Sequence, residues 1–214
     1  MSIQVTTEQV KELRDTTGIS VMQCKRALEE AEGDIKKALA ILKKTSSDIA
    51  LKKINREVKN GAVMVKTENR KAVLVSLLCE TDFVSRNEDF ITLLETLTEK
   101  ALKDGIEKIK NEVKEMIDSV IQKTGENIQL GEIYEIDGDT LGVYVHNNKI
   151  AVIISLERGS AELAKDIAMH VAAMQTESIP ELLNQPFIKN EEETVGNLLE
   201  KAKAKIKEVK YYSI

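Results

Sequence analysis

Two apolar runs, Ala72 to Leu78 (AVLVSLL) and Ile150 to Leu156 (IAVIISL), constrain this chain more than anything else in it. Neither alternates polar with apolar residues, so each must be buried on both faces, as the central strand of a sheet. Each follows a shorter apolar segment and a polar turn. The first has Ala62 to Val65 and then Glu68-Asn69-Arg70; the second has Thr140 to Val145 and then His146-Asn147-Asn148. That is a hairpin pattern, written twice. A helical pattern follows each hairpin: Phe90, Leu93, Leu94, Leu97 and Ala101 in the first case, Leu163, Ile167, Val171 and Met174 in the second. The spacing therefore predicts two similar α+β subdomains.

Between the two units, Ile106, Ile109, Val113, Ile117 and Val120 mark another amphipathic helix, ended by Gly125. Ile128 to Ile136 supplies a joining strand. The tail offers a helix around Val195 to Ile206 and a closing strand over Val209 to Ser213.

The front of the chain has a different period. Thr6-Thr7-Glu8-Gln9 and Ser20-Val21-Met22-Gln23 are helix-opening patterns, and Asp34 caps a third helix. Gly18 and Gly33 stop the first two. Three short helices make a mini-bundle, and a section through Ile54, kept wet by Lys43-Lys44 and Lys52-Lys53, reads as a tether. The expected organisation is residues 1–54, 55–136 and 137–214.

One connector stands out. After the first central strand the chain reads Cys79-Glu80-Thr81-Asp82-Phe83-Val84, and Ser85-Arg86-Asn87-Glu88 then reads as a capping box. Thr81 to Val84 would sit on a short link between two rigid elements, where scaffolds present working groups. Phe83 is one of three Phe in a chain without Trp. The pattern leaves two readings: a ring that plugs the corner, or one that projects from it.

Several function classes find no support. Phosphate-cradling glycine motifs are absent. Cys24 and Cys79 are far apart, without zinc or disulfide spacing, and read as buried, reduced residues. A thiol enzyme built on Cys79 would need an activated thiolate, which a strand-interior position opposes. His170 lies beside an apolar stripe and reads as a core or helix-surface histidine. Glu80, Asp82, Glu88 and Asp89 are more simply helix-start acids than metal ligands, so no metal and no cofactor are expected. The net charge of −5 argues against direct nucleic-acid binding. It is uneven, with ten Lys/Arg against eight Asp/Glu in residues 1–54, which suggests a protein partner with an acidic surface. No apolar run is long enough to cross a bilayer, and the start, MSIQVTTEQVKEL, lacks signal-peptide features. The expected location is the cytoplasm, or the interior of an organelle that encodes the protein.

VKELRDTTGISVMQCKRALEEAEGDIKKALAILKK resembles the N-terminal domain of bacterial elongation factor Ts, a three-helix module related to ubiquitin-associated domains. CETDFVSRN is similar to the first signature of that family and KDIAMHVAAM to the second. KTGENI, LGVYVH, QPF and TVGNLL fall in the family's order. Longer members carry a helical hairpin after the second signature helix. Here only TESIPELLNQ, Thr176 to Gln185, precedes QPF, which leaves no room for it.

The resemblance implies a fold: a ubiquitin-associated-like module, then two hairpin-plus-helix subdomains. It implies a function: guanine-nucleotide exchange on elongation factor Tu, without a chemical active site. It implies residues. Thr81, Asp82, Phe83 and Val84 would dislodge the partner's Mg²⁺. Met22 and Lys25 would dock the module, and Thr124, Gly125 and His146 would line the same face. His146 also reads as a plain turn residue. Short members of the family can form dimers, which extends to a homodimer through the second half. The alternative is an interaction adaptor, a ubiquitin-associated-like module on an α+β body, without exchange activity.

Overall fold

In the computed structural model, which describes residues 5–214, the chain opens with helices α1 (Thr7–Thr17), α2 (Val21–Glu30) and α3 (Ile35–Leu51). Residues 1–4, the start of the expected first unit, lie outside the described residues. The first hairpin unit contains β1 (Asn60–Glu68), β2 (Lys71–Cys79), a one-turn helix α4 (Asp82–Ser85), α5 (Glu88–Asp104), α6 (Ile106–Thr124) and β3 (Ile128–Asp137). The second contains β4 (Thr140–His146), β5 (Ile150–Glu157), α7 (Ala161–Met174), α8 (Ile179–Asn184), β6 (Pro186–Phe187), β7 (Asn190–Thr194), α9 (Val195–Lys201) and β8 (Lys205–Ser213).

The caps explain the front helices. Thr6 accepts the Gln9 N–H, and the Gln9 side chain accepts the Thr6 N–H in return. Ser20 accepts from Gln23 and Asp34 from Lys37, each satisfying an orphan donor of the first turn. Leu13, Cys24, Ala27, Leu28, Ala38 and Leu42 form the small core of this bundle. The section expected as a tether is helical as far as Leu51 and is packed, not free: Ile49 and Ala50 of α3 pack into the core of the next unit.

The central strands behave as their composition requires. Strand β2 pairs antiparallel with β1 and β3, and β5 pairs antiparallel with β4 and β8. Val73, Val75, Leu77 and Cys79 face α5 and α6, where Phe90, Leu94, Leu97 and Ile109 meet them. Val152, Ile154 and Leu156 face α7, with Ile167, Ala168 and Val171. Ala72 and Leu74 on the other face of β2 meet Ala151 and Ile153 of β5. The layers are thus helix, sheet, sheet, helix. Residues Ala72–Leu77 and Ala151–Leu156 occupy equivalent places, down to Ser76 and Ser155 beside a register shift in each sheet.

Two sequence expectations are corrected. Ser85 does not open the long helix. The Thr81 hydroxyl already starts α4 by accepting the Val84 N–H, Ser85 is buried and donates to the Asp82 carbonyl, and Asn87 caps α5. The tail helix stops at Lys201, short of Ile206. Lys203 takes a positive φ of 52°, and Ile206 joins β8 opposite Leu156 because β5 needs a partner along its free edge.

Candidate functional site

The site is a corner where β2 ends and β3 begins. Cys79 lies opposite Ile128, so the residues just after β2 meet those just before β3. Thr81 donates its N–H to Glu126 Oε2 at 3.0 Å and its hydroxyl to Glu126 Oε1 at 2.6 Å. Glu80 accepts the Asn127 N–H at 2.6 Å and lies 3.4 Å from Arg56. The Asn60 side chain donates to the Glu80 carbonyl at 2.9 Å. A short link held this densely has little freedom.

On that link, Val84 turns inward onto the core of the first unit, and Asp82 pairs with Arg86 at 3.4 Å. Phe83 does the opposite. The residue is 83% exposed, the most open of the large hydrophobics among the described residues. The plug reading of Phe83 is therefore excluded. An aromatic ring held in water is the informative kind of exception to burial.

Thr124 and Gly125 come to the same corner. Thr124 donates to Val120 within α6 and accepts the Glu126 N–H. Gly125 ends α6 at φ 78°, a left-handed position that favours glycine, and its carbonyl accepts the Lys53 ammonium. His146 ends β4, with its Nδ1 3.0 Å from the Tyr144 hydroxyl. Its turn, through Asn148 and Lys149, borders a shallow cavity with Ser85 and Arg86. Asn148 and Lys149 also bond to Val63 and Gly61.

Met22 and Lys25 lie on α2. Met22 is 59% exposed beside exposed Val21, and Lys25 makes an open ion pair with Glu29 at 3.7 Å. They are not at the corner, but they are tied to the same helix. Gln122, buried in α6, donates to Gln23 Oε1 at 3.2 Å and to the Leu42 carbonyl at 3.1 Å. Buried Asp118, also on α6, accepts from Ser47 at 2.8 Å.

The other candidate groups are absorbed by structure. Cys79 is buried, and desolvation, with the Glu126 charge nearby, pushes its thiol up to about 12. His170 is buried against Phe187. Its Nε2 faces Gln185 at 2.9 Å and its Nδ1 accepts the Ile188 N–H, while burial holds its pKa down. Among the described residues no three His, Cys, Asp or Glu side chains gather to hold a metal. No helix is long and apolar enough to cross a membrane.

Sequence reasoning missed Glu126 as an organiser of this corner, along with Glu80, Asn127 and Lys53. The missing signal was the pairing of β3 with β2, which sets 126 across from 81.

Residues 80–181 match the family described as Elongation factor TS. Elongation factor Ts of Hahella chejuensis is 42% identical over 182 residues, covering 82% of this chain and 64% of that protein. That of Alcanivorax borkumensis is 38% identical over 207 residues, covering 91% and 69%. That of Pseudomonas savastanoi is 31% identical over 261 positions, covering 99% and 91%. The chain thus spans less than two thirds of the Hahella relative. The Pseudomonas alignment has more positions than this chain has residues, so that relative carries segments with no counterpart here. On this similarity, which runs across most of its length, the chain belongs to the elongation factor Ts family.

Proposed function

We propose that this chain is a translation elongation factor that binds elongation factor Tu carrying GDP and speeds GDP release. The observation that carries this reading is Phe83, an aromatic residue 83% exposed on a four-residue helix whose start is pinned. A GTPase holds GDP through backbone N–H groups around the phosphates and through Mg²⁺ bridging to a phosphate oxygen. Mg²⁺ demands near-ideal octahedral geometry, so a small shift of its supporting elements weakens the site. An apolar ring driven beside that site supplies such a shift without any chemical step. Asp82 would orient the ring or meet polar groups of the partner.

Magnitudes fit. Burying a Phe side chain is worth about 1.5–3 kcal/mol, close to the ~1–3 kcal/mol typical of coupling between sites. That converts to roughly 10–100-fold in affinity. Coupling is reciprocal, so bound nucleotide expels the factor by the same ratio.

Docking would fall to α2, with Met22 and Lys25, on a unit spanning 1–54. The body, 55–136 and 137–214, would present the corner and the His146 turn. A second copy could pair through 137–214, which light scattering on the pure chain reads directly. The factor would act where translation runs, in the cytoplasm or its organellar equivalent. Exchange of this kind needs no chemical group of the factor's own; Cys79 and His170 are buried and hydrogen-bonded within the fold.

Release of fluorescent GDP from elongation factor Tu, with and without this chain, tests the proposal. The adaptor reading draws on the exposed Val21 and Met22 surface. An adaptor would bind without changing the release rate, so the same assay separates the two.

A further inference from the structure

Both donors of Thr81 converge on one carboxylate. The N–H reaches Glu126 Oε2 at 3.0 Å and the hydroxyl reaches Oε1 at 2.6 Å. The geometry points to Glu126 as a positioning residue that clamps the start of α4 and so fixes the direction in which Phe83 projects. The inference rests on the exchange reading above and adds to it the residue that makes the wedge stiff.

Helix α4 is a single turn, and a single turn does not hold itself, because nucleation costs more than one hydrogen bond returns. Its N-cap is Thr81. The Thr81 hydroxyl has one proton, and that proton goes to Glu126. The lone pairs are left to accept the Val84 N–H at 3.4 Å. The carboxylate therefore sets the rotor of the capping hydroxyl, through charge-assisted bonds roughly twice as strong as neutral ones. Phe83 has few contacts of its own to aim it, since most of its ring faces water. Its direction is inherited from the backbone of α4.

Glu126 is itself well anchored. It follows Gly125, whose left-handed turn ends α6 and whose carbonyl accepts the Lys53 ammonium. Lys53 lies just past α3, the helix that begins in the front bundle.

The test uses Glu126→Ala and Glu126→Gln in the full chain. In the free protein, hydrogen exchange of the Thr81 and Val84 amides is followed by NMR, with β2 amides as the internal control. With elongation factor Tu, the GDP release rate is measured against factor concentration. Glu126→Ala is expected to speed exchange of both amides at least tenfold while β2 stays protected. The maximal GDP release rate should fall about tenfold, with the half-saturating concentration within twofold, because α2 is untouched. Glu126→Gln keeps one carbonyl acceptor and should lie between. If β2 also loses protection in the Ala variant, the Gln variant decides. Unchanged amide protection overturns the clamp. Loosened amides with a full maximal rate overturn its role in exchange. If the unmodified chain itself fails to release GDP, the exchange reading falls and takes that role with it. The amide data would still decide, independently, whether the carboxylate holds α4.

Discussion

Cys79 places its Sγ 3.1 Å from the Thr81 carbonyl at the buried end of β2. With its thiol pushed up to about 12, only about one part in ten thousand is thiolate at pH 8. Labelling of the native protein by a thiol reagent should therefore be slow, and should quicken at least a hundredfold in denaturant. Stoichiometric labelling within minutes under native conditions would contradict the burial described here. The paired serines give a sharper residue-scale contrast. Ser76 Oγ accepts the Glu132 N–H at 2.6 Å and donates to the Glu132 carbonyl at 3.3 Å. Ser155 Oγ, at the equivalent place, is buried with no hydrogen-bond partner among the described residues. Ser76→Ala leaves the part-buried Glu132 N–H without its acceptor and should cost about 1 kcal/mol or more. Ser155→Ala removes an unsatisfied hydroxyl and should be neutral or stabilising by up to ~1 kcal/mol. Urea denaturation of both variants checks this, and equal losses would refute the distinction. Neither difference was legible beforehand. The two serines read alike in sequence, and the partner of each depends on which strand lies alongside. Phe83 shows the same limit. Its identity singled it out, but its outward direction follows from a cap, Thr81, that the Ser85 pattern obscured.

At the scale of elements, legibility followed local chemistry. Thr6, Ser20 and Asp34 cap the helices that their patterns predict, because a side-chain oxygen three residues ahead of a free N–H acts locally. Both hairpin turns fall where the polar residues predicted, with Asn69, Asn147 and Asn148 at positive φ. The failures are non-local. Helical periodicity over Val195 to Ile206 lost its last residues to β8, since the free edge of β5 offered a ladder of hydrogen bonds. The lysines of the section through Ile54 point to solvent and a tether, but they do not show that Ile49 and Ala50, on the other side of the same helix, pack into the core of the next unit. One element contact invites a direct test. A Cβ at Gly142 would lie 2.0 Å from the Ala164 carbonyl carbon, so α7 seats on bare β4 backbone. Gly142→Ala must push helix from sheet and should cost about 1–3 kcal/mol or more. A denaturation midpoint equal to that of the unmodified chain would show that α7 does not pack there as described.

For the whole molecule, the front bundle and the corner share one support, helix α6, through Gln122, Asp118 and the Gly125 turn. The doubled hairpin pattern foretold two subdomains, but not that their sheets would stack face to face through Leu74 and Ile153. That contact joins residues far apart in sequence, and nothing local encodes it. The proposed division of labour between bundle and corner makes a separable prediction. Lys25 is exposed and its pair with Glu29 is worth little, so Lys25→Ala should leave stability within about 0.5 kcal/mol. It should raise the half-saturating factor concentration several-fold, most at low salt, with the maximal GDP release rate unchanged. A loss that persists at saturation would remove Lys25 from a docking role.

The most direct test of the wedge is the rate of GDP release from elongation factor Tu at saturating factor, measured for the unmodified chain and for Phe83→Ala. The exposed ring contributes little to the fold, so the variant should keep its thermal midpoint. Its release rate should fall at least tenfold, in line with the about 1.5–3 kcal/mol that burying the ring supplies. Equal release rates for the two proteins would contradict the account.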